Sequence, residues 1–153
     1  MKVKDLMTKE PKTCTPDTTL AAAAQLILDA NCGILPVVDD GEMVGVVNDH
    51  DMDIALAAQN IRATHVRVGA VARTMVATCE PDDTVHTALA TMRQARVPCL
   101  PVVECGRTVV GILSIGDILR AAGPDRAVSE AQVEDVRQAI DAHHHPGPDV
   151  NAA

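Results

Sequence analysis

Ser114 stands three residues before Asp117, and Asn48 three residues before Asp51, at matching places in a chain that repeats itself. A carboxylate can accept hydrogen bonds from both hydroxyls of a vicinal diol, and a hydroxyl beside a helix start can donate to an anion. The same spacing also serves a plainer purpose, since an Asp in the first turn and a polar residue before it cap a helix. Spacing alone leaves both readings open. The other reactive side chains offer less. Five cysteines (Cys14, Cys32, Cys79, Cys99 and Cys105) show no CxxC pair and no even framework. Cys14 and Cys79 are repeat-equivalent and read as small buried apolar residues. His143, His144 and His145 are consecutive, so no regular element turns all three toward one metal, and they read as a solvated tail.

The frame around these residues is duplicated. Leu35-Pro36-Val37-Val38-Asp39 returns sixty-five residues later as Leu100-Pro101-Val102-Val103-Glu104. Cys14, Pro16, Asp17 and Thr19 match Cys79, Pro81, Asp82 and Thr84. After one extra residue in the second copy, Gly45 to Asp51 align with Gly111 to Asp117. A repeat of this size predicts two similar halves about a pseudo-twofold axis, with ligand clefts between them.

Each copy reads as β-α-β-β-α. A short amphipathic opening (Val3–Met7; Val68–Ala72) leads to an extended stretch ending at Cys14-Thr15-Pro16 or Cys79-Glu80-Pro81. Asp17/Thr18 and Asp82/Asp83 are the expected helix caps, with helices over 19–30 and 84–95. Their apolar stripes are Leu20, Ala23, Ala24, Ile27 and Val85, Ala88, Leu89, Met92. Buried strands at Leu35–Val38 and Leu100–Val103 then turn at Asp39-Asp40-Gly41 and Glu104-Cys105-Gly106 into Met43–Val47 and Val109–Leu113, a hairpin pattern. Second helices start near Asp51, with Ile54, Leu56 and Ile61, and near Asp117, with Ile118 and Leu119. The repeat stops after Gly123-Pro124. Ser129-Glu130-Ala131-Gln132 has capping-box spacing before Val133, Val136 and Ile140, predicting an appended helix over 129–142. The organisation is thus repeat one over 1–62, repeat two over 63–122, the appended helix over 123–142 and a disordered tail over 143–153.

Bulk properties narrow the function classes. The 153-residue chain carries a net charge of -8 and has no Phe, Tyr or Trp. It offers neither the basic surface nor the stacking platforms that nucleic-acid binding uses. No apolar stretch approaches membrane-spanning length, and no apolar signal region follows Met1-Lys2-Val3-Lys4-Asp5, so the expectation is a cytoplasmic protein with no membrane partner. No catalytic triad, metal tetrad or phosphate-cradling glycine loop is visible, so no enzyme is expected.

The two L-P-V-V-D/E strands, each followed by glycine, two apolar residues and a polar residue three positions before Asp, resemble the CBS domain. In tandem they are similar to a Bateman module, over residues 1 to about 122. The resemblance implies an α/β (α+β) fold of two packed repeats that binds AMP, ADP, ATP or S-adenosylmethionine and regulates a partner or attached domain. It requires no cofactor. In nucleotide-binding members the Asp holds the ribose hydroxyls and the Thr or Ser before it touches phosphate, which carries over to Asp117 and Ser114, and to Asp51 and Asn48. In AMP-sensing members the residues just before the L-P-V strand often supply basic phosphate contacts, and here those nucleotide-binding places hold Gly33/Ile34 and Pro98/Cys99; Gly33, Ile34 and Leu35 are the expected adenine-facing residues. Paired modules of this kind associate through helices, so a homodimer is expected.

Copy two is the better candidate. Asn48 replaces the usual hydroxyl, and residues 36–53 carry Asp39, Asp40, Glu42, Asp49, Asp51 and Asp53 without a Lys or Arg. Such a field opposes phosphate. Residues 101–119 hold only Glu104 and Asp117, offset by Arg107. Arg73, Arg96 and His86 are possible substitute phosphate contacts and otherwise read as surface residues. The leading reading is a stand-alone regulatory module that signals to a protein partner. The alternative is a non-catalytic interaction module with degenerate clefts. A redox or catalytic role for Cys99 or Cys105 is a distant third.

Overall fold

The computed structural model describes residues 1–30, 33–59, 62, 64–121 and 129–144. Cys32, Ile61, the Gly123-Pro124 boundary and His145 onward lie outside them. The elements run α1 (Val3–Leu6), β1 (Thr8–Lys9), α2 (Leu20–Ala30), β2 (Ile34–Asp39), β3 (Glu42–Asn48) and α3 (Asp49–Gln59). A single 3-10 turn follows at Val68–Ala70. Then come α4 (Val85–Ala95), β4 (Cys99–Glu104), β5 (Thr108–Ser114), α5 (Ile115–Ala121) and α6 (Glu130–His144). The fold is mixed α/β with two repeats, as the duplication predicts.

Both hairpins form for the predicted reason. Asp40 and Gly41, and Cys105 and Gly106, have positive φ (52°, 77°, 51° and 87°), which suits tight turns between twisted strands. The extra residue of copy two is absorbed in its turn. Asp39 faces Glu42 across two residues, whereas Glu104 faces Thr108 across three. The register shift then falls at matching places, Val37/Val38 and Val102/Val103. Cys14 and Cys79 add a parallel bridge to Val37 and Val102. Both are buried and direct their thiols at the carbonyls of Pro36 and Pro101.

The first helices match their predicted spans, but the caps shift. Thr19 Oγ1 accepts from Ala22 N at 3.2 Å, and Thr84 Oγ1 from Thr87 N at 3.1 Å. Thr18 and Asp83 instead accept from Thr15 N and Glu80 N, closing the preceding turns. The second helices begin two residues earlier than predicted, at Asp49 and Ile115, so Asp51 and Asp117 sit inside the first turn.

The two cores are closed by exchange. Val3, fully buried, packs with Val85, Leu89, Met92, Leu100 and Leu113 of repeat two. Val66 and Val68 pack with Leu20, Ile27, Leu35, Val37 and Val47 of repeat one. The backbone repeats the trade: Val3 N donates to Asp83 O and Val68 N to Thr18 O, at 2.9 and 2.8 Å. The opening segments then pair with the far sheets, Thr8 with Ile112 and Arg73 with Val46. This crossing explains the glycine of each copy. A Cβ on Gly45 would lie 2.6 Å from the Arg73 carbonyl oxygen, and one on Gly111 2.9 Å from that of Thr8.

The appended helix α6 joins the second core through Val133, Val136 and Ile140. Ser129 and Gln132 form the predicted capping box, each side chain accepting from the other's backbone N–H. The helix runs to His144, two residues past the predicted end, and so includes two of the three tail histidines. Among the described residues, no helix is long and apolar enough to cross a membrane.

Candidate functional site

β5 ends at Ser114, and α5 starts at the next residue, so the strand-to-helix corner fixes both polar side chains. Ser114 Oγ accepts from Asp117 N at 3.1 Å, and Asp117 Oδ2 accepts from Ser114 N at 2.9 Å. The capping reading of this spacing therefore holds, as a reciprocal box. It does not exhaust either group. The Ser114 hydroxyl still has its own proton to donate, and each carboxylate oxygen of Asp117 keeps a lone pair. The Arg120 guanidinium occupies Oδ1 from one turn along the helix, and its side chain is 74% exposed against 10% for Asp117.

The first copy is built alike and closed differently. Asn48 Oδ1 accepts from Asp51 N at 2.7 Å. Both Asp51 carboxylate oxygens are taken by one partner, Arg73, through Nε and Nη2 at 2.7 Å each. The Asp51 side chain is 12% exposed. The hydrogen bond and charge of Asp51 hold the Arg73 pKa above its ordinary value. Planar two-point pairing of this kind is the strong form of an ion pair. Arg73, a possible phosphate contact from sequence, is thus committed to the carboxylate that was to hold a ribose.

A cleft of about 920 Å³ opens on the second site. Its repeat-two wall carries Pro98, Cys99, Ile112, Ser114 and Asp117. Four of the sequence-predicted residues therefore meet in one space. The cleft draws on repeat one as well, but not through the expected strand. Thr8, Glu10, Pro11 and Lys12, from the crossing segment, and Asp29 of α2 form that side. Gly33, Ile34 and Leu35 do not line it. Leu35 is fully buried in the first core, Ile34 pairs with Asn48, and Gly33 lies beside Asp49 with φ at +71°. They belong to the first copy's corner, with Asn48 and Asp51, because the exchange sends the opening segments across and not the L-P-V strands.

The third wall has no counterpart in the sequence reading. Arg137, Ile140 and Asp141 of α6 also line the cleft. Their apolar periodicity announced a packed helix, but nothing in the linear pattern said which polar residues would reach the site. Arg96 and His86 take other roles. Arg96 ends α4 in the left-handed conformation (φ 58°), and His86 Nδ1 lies 3.5 Å from Gln132 Nε2.

The thiols differ sharply in setting. Burial pushes Cys14 up to about 11 and Cys79 up to about 12, so neither is a thiolate near neutrality. Cys99 is buried at the cleft wall, while Cys105 is exposed in its turn. Among the described residues, no group of three or more His, Cys, Asp or Glu is placed to hold a metal ion.

Comparison with known proteins identifies the family and the fold. The CBS domain profile matches residues 3–58 and again residues 68–123. The chain is 33% identical over 116 residues to the CBS domain-containing protein YhcV of Bacillus subtilis, covering 76% of this chain and 81% of that protein. Some curated relatives are much longer, and the chain spans only 39% and 23% of two of them. Among solved structures, the CBS domain pair of protein MJ0100 in complex with 5-methylthioadenosine and S-adenosyl-L-methionine superposes with a TM-score of 0.69. It shares 30% identity, over 79% of this chain and 94% of that one. CBSX2 in complex with AMP gives a TM-score of 0.66 at 26% identity, over 78% and 94% of the two chains.

Proposed function

The chain belongs to the CBS-domain family as a tandem pair, and from that premise we propose that it is a regulatory module binding an adenosine-type ligand in the Ser114–Asp117 cleft. Tandem CBS domains are regulatory and non-catalytic. One observation carries the reading: a cleft of about 920 Å³ in which a hydroxyl with a spare proton and a carboxylate with spare lone pairs sit beside apolar walls. Asp117 accepts from the ribose hydroxyls, and Ser114 donates to the ligand's anionic end. Pro98, Cys99 and Ile112 supply apolar surface for adenine, which a chain without aromatic residues must hold between aliphatic groups. The ligands of the MJ0100 pair and of CBSX2 support this chemistry. Occupancy is then passed to a protein partner. Self-association into a homodimer through helix faces completes the proposal, with Leu28 of α2, 74% exposed, on the candidate face.

A specific observation favours the interaction-module reading for the first copy alone. A diol at Asp51 would have to share both oxygens with a guanidinium that arrives from the other repeat and pairs in the strong two-point form. One active cleft and one structural corner are therefore proposed.

Thermal denaturation separates the readings. A ligand at a hundredfold excess over its Kd stabilises by about 2.7 kcal/mol, which raises the Tm of a chain this size by roughly 5–10 °C. Millimolar AMP, ADP, ATP or S-adenosylmethionine should produce such a rise. Asp117→Ala should abolish it, and Asp51→Ala should leave it. Asp117→Ala also removes half of a capping box, so the ligand-induced shift is the readout and not the Tm itself. If none of the four ligands moves the wild type, the degenerate-cleft reading replaces this one.

A further inference from the structure

We propose that Arg137, on the helix outside the repeated unit, holds the anionic end of the cleft's ligand, so that binding tightens α6 onto repeat two. This rests on the reading of the cleft as an adenosine-ligand site and adds to it a residue that the repeat does not supply. Three observations converge on Arg137. It lines the same cleft as Ser114 and Asp117. It makes no hydrogen bond or ion pair with another described residue, whereas Arg73, Arg93 and Arg120 each hold a carboxylate. The helix that carries it is fixed in place by its neighbours. Val133, Val136 and Ile140 are buried on the second core, and Asp135 pairs with Arg93 at 3.0 Å. An exposed, unengaged guanidinium is thus held at a cleft wall.

The surrounding charge sets the class of ligand. Arg120 is engaged by Asp117, which leaves Lys12 and Arg137, among the described lining residues, as the free cations against Glu10, Asp29 and Asp141. That balance suits one anionic group placed against Arg137 and opposes a polyphosphate. A single phosphate and an amino-acid carboxylate both meet the description. Because the ligand touches repeat two and α6 together, its binding and the docking of α6 are reciprocally linked. The helix is then the element that carries occupancy toward the C-terminal end of the chain.

Titration calorimetry with matched ligands tests this. Adenosine and AMP differ by a phosphate; 5-methylthioadenosine and S-adenosylmethionine differ by the aminocarboxypropyl group. Arg137→Ala should weaken the phosphate- or carboxylate-bearing member of the recognised pair about tenfold and leave the member without that group within about twofold, as loss of one charge-assisted hydrogen bond requires. Arg137→Lys should keep most of the affinity. ATP should bind no more tightly than AMP. Amide hydrogen exchange over 133–141 should slow on binding in the wild type and not in Arg137→Ala. Equal weakening of both pair members, or no weakening of either, overturns the role of Arg137 while leaving the cleft reading intact. A wild type that binds none of the four overturns both.

Discussion

Asp51 and Asp117 hold the same place in the repeated unit, yet their carboxylates have different freedom. Arg73 reaches Asp51 from the segment that crosses between repeats and takes both oxygens. Arg120 reaches Asp117 from the next turn of its own helix and takes one. The Arg120 end of that pair is 74% exposed on a long side chain, so the guanidinium can swing aside for a ligand while Asp117 stays held by Ser114 N. The motif made both Asp residues visible in sequence, but the partner of Asp51 was not visible. Twenty-two residues separate it from Arg73, and only the exchange of segments brings them together. The cysteines were legible, because repeat-equivalent apolar positions announce burial. A labelling experiment checks them. Burial disfavours the thiolate and raises the pKa, so at pH 8 only about a thousandth or less of Cys14 and Cys79 is reactive. Iodoacetamide on the native protein should modify exposed Cys105 quickly and leave Cys14 and Cys79 intact until unfolding. Their reactivity should rise only as pH approaches 11 to 12, or when the fold is lost. Rapid native-state modification of Cys14 by peptide mass spectrometry would contradict the packing.

At the scale of elements, local chemistry was mostly sufficient. The Asp40-Gly41 and Cys105-Gly106 turns, the two first helices and the capping box of α6 all follow from short-range signals. Two details did not. Asp and Thr are adjacent in both loops, and sequence alone favoured the earlier residues as caps. Capping falls to Thr19 and Thr84 because Thr18 and Asp83 already accept from the backbone N–H three residues earlier and so close the turn around the proline. Thr84→Ala should therefore cost about 1 kcal/mol and lower the Tm by roughly 2–4 °C. Asp82→Ala, which removes only an exposed carboxylate facing Lys2 and Lys4, should change it much less. Circular dichroism at 222 nm suffices to compare them. Equal losses for the two variants would return the cap to the acidic residue. The other detail was the reach of α6 into the cleft, which depends on how the helix crosses α4 and α5 and leaves no trace in its own periodicity.

For the whole molecule, the duplication suggests two bodies that could fold separately, but the exchanged segments argue otherwise. Each core is completed by a valine from the opening of the other copy, Val3 in one and Val68 in the other, both fully buried. Neither half buries its apolar surface without the partner's segment. The crossing backbones add sheet pairing at Gly45 and Gly111, where no larger residue fits. Coupling of this kind predicts one cooperative transition for the pair. Val3→Ala removes two methyl groups from a close-packed site and should cost about 2 kcal/mol. Val68→Ala should cost a similar amount. Either variant should shift the entire unfolding curve, with calorimetric and van't Hoff enthalpies still equal. If the repeats were independent, Val3→Ala would lower the melting of repeat two alone and split the transition in two. The absence of aromatic residues makes calorimetry and far-UV circular dichroism the suitable probes. A split transition would sever the structural corner of copy one from the cleft of copy two. A single one would couple the stability of the two halves while leaving ligand contact to the cleft of copy two.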